Sequence, residues 1–261
     1  TSHEAPYRRD KWSRVGRAYF RLNERIFMRS RARLTSISRP LAETYEADYG
    51  RAVEFIPNGV DADLPRADEA ASALLASHGV QGSYLLFAAR RIMSTKGCHT
   101  LLEALAKDHY TGDVVIVGDT DQLPRYSRRL RELAHGMRVH FVGFVGDKPT
   151  LMSLVSGADA FVFPSETEGM SVMLLEVASV GTPLVCSRIP ENEAVFDDSE
   201  VLYFPVASAD ALSAALAELG ERPEEARARA DRARQRVRRE YTSTAVADRY
   251  ASLYGEVLAS G

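Results

Sequence analysis

A chain of 261 residues with 45% hydrophobic and 26% charged side chains can bury one large domain or two small ones. No apolar run approaches the roughly 20 residues of a membrane span. Cys98 and Cys186 stand far apart, with neither a CxxC pair nor a zinc-like His spacing, so both read as reduced core residues and the expectation is a cytoplasmic protein with no metal or cofactor. The net charge of -3 conceals a basic beginning, since residues 8 to 33 hold nine Arg and one Lys against only Asp10 and Glu24. These cations are not interleaved with exposed aromatics, which argues against a nucleic-acid partner.

In chain order, Trp12, Val15, Tyr19, Leu22 and Ile26 recur every three or four residues and predict a helix over 12–27, with Arg14, Arg17, Arg21 and Arg25 on much of its other side. Its apolar side is expected to pack on the protein, while docking of this basic segment on an anionic membrane is a second hypothesis. An apolar stretch at Leu34–Ile37 precedes a helix near 40–49, a strand at Val53–Ile56 and a turn at Pro57-Asn58-Gly59. Residues 61 to 71, acidic, Ala-rich and interrupted by Pro65, suit a connection between domains.

From residue 84 the pattern is regular. Apolar runs at Tyr84–Ala89, Val114–Val117, Val139–Val142, Ala160–Phe163, Leu184–Cys186 and Val201–Phe204 alternate with helical stretches at Leu101–Lys107, Pro124–His135, Lys148–Ser156, Val172–Val180 and Glu191–Phe196. Crossovers too long for hairpins predict a parallel sheet covered on both faces, an α/β, Rossmann-like doubly wound domain. Ligands of such sheets bind beyond the carboxyl ends of the strands, which directs attention to the loops after each run. Helices at 208–219, 222–240 and 242–258 close the chain.

The loop after the first run reads Arg90-Arg91-Ile92-Met93-Ser94-Thr95-Lys96-Gly97. Residue chemistry leaves two readings, a solvated basic turn or a diphosphate site in which Arg supplies a fork and Lys a point charge. After the fourth run, Glu166-Thr167-Glu168-Gly169-Met170-Ser171 leads directly into a helix whose free N–H groups form an anion site. Glu168 and Glu176 are then either sugar-hydroxyl acceptors or, more simply, a charge complement to the helix and a surface residue.

Glu168 and Glu176, with seven residues between them, resemble the E-x7-E motif of family 4 glycosyltransferases, and Arg91 with Lys96 matches the "GR…KG" loop of that family. The likeness extends to Ile56-Pro57-Asn58-Gly59-Val60-Asp61, Val117-Gly118-Asp119, Phe141-Val142-Gly143-Phe144 and Gly181-Thr182-Pro183-Leu184-Val185. Met170 to Glu176 and Cys186 to Asn192 are similar to bacterial polysaccharide-assembly members. Arg90 departs from the small residue usual before the loop arginine, and Met170 from the usual aromatic.

This resemblance implies the C-terminal half of a GT-B fold and retaining transfer of a hexosyl or deoxyhexosyl group from a nucleoside diphosphate-sugar to a glycan or lipid-linked acceptor. Arg91 and Lys96 would neutralise the departing diphosphate without a metal. Glu168 would lie beside the donor sugar and Glu176 on the ribose, with Gly143 and Phe144 at the base and Gly169, Met170 and Ser171 around the phosphates. Residues 1–65 would be the tail of an N-terminal acceptor domain and linker, most of that domain lying upstream of Thr1. Residues 66–241 would be the donor domain and 242–261 a closing helix. His3 would be the catalytic histidine that faces the donor sugar in relatives. A nucleotide-sugar-binding module without activity and a GT-B-fold epimerase stay as alternatives, whereas dinucleotide oxidoreduction lacks a GxGxxG after the first strand.

Overall fold

The computed structural model describes residues 1, 2 and 12–260. Six parallel strands form the main sheet: β3 (Tyr84–Arg91), β4 (Asp113–Asp119), β5 (Val139–Gly143), β6 (Ala160–Phe163), β7 (Leu184–Ser187) and β8 (Leu202–Phe204). Their spatial order is β5-β4-β3-β6-β7-β8. The chain winds outward from β3 in one direction and, after crossing to β6, outward in the other. The switch point therefore lies between the carboxyl ends of β3 and β6, where open α/β sheets form their crevice.

Both faces of the sheet are buried, because alternate residues of each strand point to opposite sides. Tyr84, Leu86 and Ala88 of β3 join Val115, Val117, Phe161, Phe163 and Cys186 on one face. That face is covered by α6 (Lys148–Ser156), α7 (Val172–Val180) and α10 (Pro223–Glu240), which contribute Met152, Leu174 and Val237 among others. Leu85 and Phe87 instead join Val114, Ile116, Val162, Val185 and Phe204. Here α4 (Cys98–Lys107), α5 (Pro124–Leu133) and α9 (Ala209–Glu221) form the cover through residues such as Leu101, Leu130 and Leu212. Two-sided burial is why the strands are continuously apolar in sequence. A short α8 (Pro190–Glu193) follows β7.

The first part of the chain is a smaller unit. It contains α1 (Arg14–Arg29), β1 (Leu34–Ser36), α2 (Arg39–Tyr49) and β2 (Val53–Phe55), with β1 and β2 parallel. Ser2 pairs with Ser36 on the other side of β1. The final helix, α11 (Ser243–Ser260), packs back on this unit: Val246 and Leu253 enclose the fully buried Ile56, and Arg33 pairs with Glu256 at 2.9 Å.

Two sequence expectations need correction. Residues 61 to 71 are not wholly a connection, because α3 (Asp68–Ser77) starts within them. Asp68 and Glu69 in its first turn complement the helix dipole, so the acids and the preceding Pro65 mark a helix start. In α1, the regular apolar stripe does not pack on the protein. Val15, Tyr19, Leu22 and Ile26 are 57–80% exposed. The helix is rotated instead by Phe27 and Met28, which enter a cluster with Leu34, Leu41, Tyr45 and Val53, and by a 2.7 Å hydrogen bond from the Tyr49 hydroxyl to Glu24.

Candidate functional site

The loops after β3 and β6 meet at the switch point and are stitched together. The Glu166 N–H donates to the Thr95 carbonyl at 2.9 Å. Gly97 follows a single 3-10 turn (Ser94–Lys96) and takes a left-handed conformation, φ +69°, that starts α4. A Cβ at this position would lie 2.0 Å from the Pro164 carbonyl oxygen, so only glycine permits so close an approach of the two loops. The approach brings the Lys96 ammonium within 2.6 Å of Glu168 Oε1, with the carboxylate largely covered and the lysine about one third exposed.

Between these loops lies an open cleft of about 420 Å³ bordered by Arg90, Arg91, Lys96, Ser165, Ser171 and Met173. Arg91 ends β3 opposite Asp119 of β4 and is exposed to solvent, as is Arg90. Ser171 caps α7, its hydroxyl accepting from the Leu174 N–H at 3.3 Å. The first N–H groups of α7 have no partner within the helix and add their dipole to the three side-chain cations around the cleft. Chemically the arrangement suits a multivalent anion, and a carboxylate, Glu168, is paired with one of the cations.

Glu176 is one and a half turns into α7 and mostly buried. Its Oε2 is held by the ammonium of Lys148, the first residue of α6. Gly143 ends β5 at φ +75°, and Phe144 beyond it is 56% exposed. Gly169 is half-buried in the β6 loop. Met170 is buried away from solvent, its sulfur accepting from the Asn58 N–H at 3.3 Å and its carbonyl from the Asn58 side chain at 3.2 Å. That side chain thus ties the β6 loop to the segment leading out of the first unit. His3 lies outside the described residues.

Lys148, His99 and Tyr126 were not singled out from sequence. Lys148 carries no motif, and its partner is 28 positions away on another helix. His99, at the start of α4, contacts the Tyr126 hydroxyl at 2.9 Å through Nδ1 and lies 3.8 Å from Glu166 through Nε2. Burial lowers its pKa from 6.5, reinforced by Arg129, while burial raises that of Tyr126. Cys98 and Cys186 are free and buried, which pushes both thiols up in pKa. Among the described residues no group of three or more His, Cys, Asp or Glu is arranged to hold a metal ion.

Residues 74–236 match the family of glycosyl transferases group 1. The chain belongs to this family. The group 1 chain is 34% identical over 180 residues to phosphatidyl-myo-inositol mannosyltransferase of Mycobacterium tuberculosis, covering 66% of this chain and 45% of that protein. The Mycolicibacterium smegmatis protein of the same name is 32% identical, over 83% of this chain and 55% of its own. The group 1 chain therefore spans about half the length of these curated relatives. Sucrose-phosphate synthase from Thermosynechococcus elongatus superposes with a TM-score of 0.83 at 23% identity, covering 99% of this chain and 67% of that one. Anabaena HepE, solved with UDP-glucose, gives 0.83 at 19% identity over 98% and 71%. At such identities the likeness concerns the fold, which is that of GT-B glycosyltransferases.

Proposed function

We propose that this group 1 chain is the donor-binding part of a retaining glycosyltransferase, transferring a hexosyl or deoxyhexosyl group from a nucleoside diphosphate-sugar to a glycan or lipid-linked acceptor. One observation carries the reading: Arg91, Lys96 and the N-terminus of α7 converge on one cleft at the switch point of the sheet. Arg91 and Lys96 neutralise the diphosphate as it leaves, a task for preorganised cations that requires no metal. Glu168 hydrogen-bonds the donor sugar, and Glu176 the ribose. Gly143 and Phe144 border the base, with the backbone of Gly169, Met170 and Ser171 around the phosphates. The acceptor hydroxyl attacks the face vacated by the diphosphate, so anomeric configuration is retained. The names of the relatives, a mannosyltransferase and a protein solved with UDP-glucose, are consistent with this class of donor.

Titration of UDP, GDP and dTDP, with inorganic pyrophosphate as reference, tests the assignment. At least one nucleotide is expected to bind more tightly than pyrophosphate, and Glu176→Ala to abolish that advantage while leaving pyrophosphate binding unchanged. Equal losses for both ligands would remove Glu176 from the nucleoside.

We further infer peripheral contact with anionic lipid at the inner face of the cell membrane. Support comes from the exposed stripe of Val15, Tyr19, Leu22 and Ile26, flanked on one side by the exposed Arg14, Arg25 and Arg29. Sedimentation with phosphatidylserine-containing vesicles at low salt should carry the protein down, and Leu22→Glu should release it. A protein that ignores such vesicles assigns the stripe to a protein contact instead. Among the described residues no helix is long and apolar enough to cross a membrane.

A further inference from the structure

Glu176 is an unusual carboxylate. It lies on α7 between Leu175 and Val177, which are fully buried, and retains 12% of its own side-chain exposure. A charge so placed is costly unless an opposite charge or hydrogen-bond donors meet it. Its partner is Lys148, whose backbone is fixed at the start of α6: Asp147 caps the helix by accepting from the Thr150 N–H at 3.0 Å, and Pro149 follows at the second position. The ammonium engages Oε2 alone. The lysine side chain is 40% exposed, and its ammonium has N–H donors beyond the one that Oε2 takes up.

The pair therefore offers one carboxylate oxygen that accepts and one ammonium that donates, side by side. A hydroxyl group both donates and accepts, and a vicinal diol provides two of them. We propose that Lys148 is a positioning residue for Glu176 and that the two together read the vicinal hydroxyls of the donor's ribose, making the site selective for ribonucleotides over 2′-deoxyribonucleotides. This inference rests on the assignment of Glu176 to the ribose and adds to it the residue that holds and complements the carboxylate. Without the ammonium, Glu176 is free to turn toward water, and the oxygen presented to the sugar is no longer fixed.

Binding of UDP, GDP, their 2′-deoxy counterparts and inorganic pyrophosphate is to be measured for the wild type, Lys148→Met, Lys148→Arg and Glu176→Gln. Methionine keeps the stem of the lysine and removes its charge. The wild type should prefer ribonucleotides. Lys148→Met should weaken them roughly three- to tenfold, as expected for a partly exposed charged contact, leave pyrophosphate unchanged, and shrink the ribo-to-deoxy ratio. Lys148→Arg should restore most of the ratio, and Lys148→Met should add nothing in a Glu176→Gln background. Parallel loss of pyrophosphate binding would make Lys148 a general anion contact and overturn the proposal, as would an unchanged ratio. If the wild type itself shows no preference for ribonucleotides and Glu176→Gln changes nothing, the ribose assignment of Glu176 fails, and this inference with it.

Discussion

Replacing Gly97 with alanine tests the meeting of the two loops directly. Gly97 combines a left-handed backbone, φ +69°, with a would-be Cβ that falls 2.0 Å from the Pro164 carbonyl oxygen and 2.8 Å from its carbon. The left-handed backbone alone costs an alanine about 1–2 kcal/mol. Relieving the clash requires the Pro164 backbone, which leads out of a central strand, to retreat by well over an ångström, and overpacking of this kind adds about 1–3 kcal/mol. The sum is about 2–5 kcal/mol, or a fall in Tm of about 4–20 °C for a chain of this size.

Gly136→Ala is the matched control. Its φ of +82° carries the same backbone cost, yet nothing lies within 4 Å of the added carbon, so a loss of about 1–2 kcal/mol is expected. Calorimetry on both variants isolates the clash, and nucleotide titration reports its effect on the site, because separating the loops also separates Lys96 from Glu168. Gly97→Ala should bind nucleoside diphosphate at least about tenfold more weakly than Gly136→Ala if the displaced lysine contributes a charged hydrogen bond. If the two variants melt together and bind alike, the reasoning about the loops is wrong.

Lys96→Ala and Arg91→Ala should each weaken nucleoside diphosphate and inorganic pyrophosphate by about tenfold or more, measured by calorimetric titration, since each removes a charged donor from the anion. Glu168→Gln should act in opposite directions on two readouts. Removing the negative charge 2.6 Å from Lys96 should tighten pyrophosphate, which no longer competes with a carboxylate, while transfer of sugar slows. An unchanged pyrophosphate affinity would mean that the ion pair survives anion binding. His99 predicts a pH effect on stability. Its pKa is lowered in the folded protein, so the unfolded chain takes up the proton first; the stabilisation is complete above about 6.5 and fades as pH falls below it. The melting temperature should therefore fall less between about pH 7.5 and 5.5 in His99→Gln than in the wild type, and an identical fall in both would count against a half-buried neutral imidazole.

The four inner strands of the main sheet were legible because each is buried on both faces and so reads as an apolar run of the right length, whereas the edge strands β5 and β8 are only partly buried and were found from their place in the alternation of strands and helices. The switch point followed from the fold, and the cations of the β3 loop with it. What sequence missed was made by tertiary contacts. Lys148 gains its meaning from a carboxylate on another helix, and His99 from a tyrosine on α5. In α1 the failure was of a different kind. The helix carries a regular apolar stripe, Val15-Tyr19-Leu22-Ile26, and a second apolar pair at its end, Phe27 and Met28; periodicity favours the regular stripe, whereas the contacts of Phe27 and Met28 with Leu34, Leu41, Tyr45 and Val53 decide which side faces inward. Residues 61–71 misled because the same Pro and acids that mark linkers also mark helix starts.

The chain passes between its two units twice, and the crossings are not independent. Val60 donates its N–H to the Tyr241 carbonyl and accepts from the Ser243 N–H, both at 2.9 Å. Gly59 lies so close to Ser243 that a side chain would come within 2.9 Å of its Cα. The outgoing and returning segments thus form a two-ply strap. Bending one ply must carry the other with it, and drawing the two apart must break both hydrogen bonds. Such a strap makes one connection out of what would otherwise be two separate crossings.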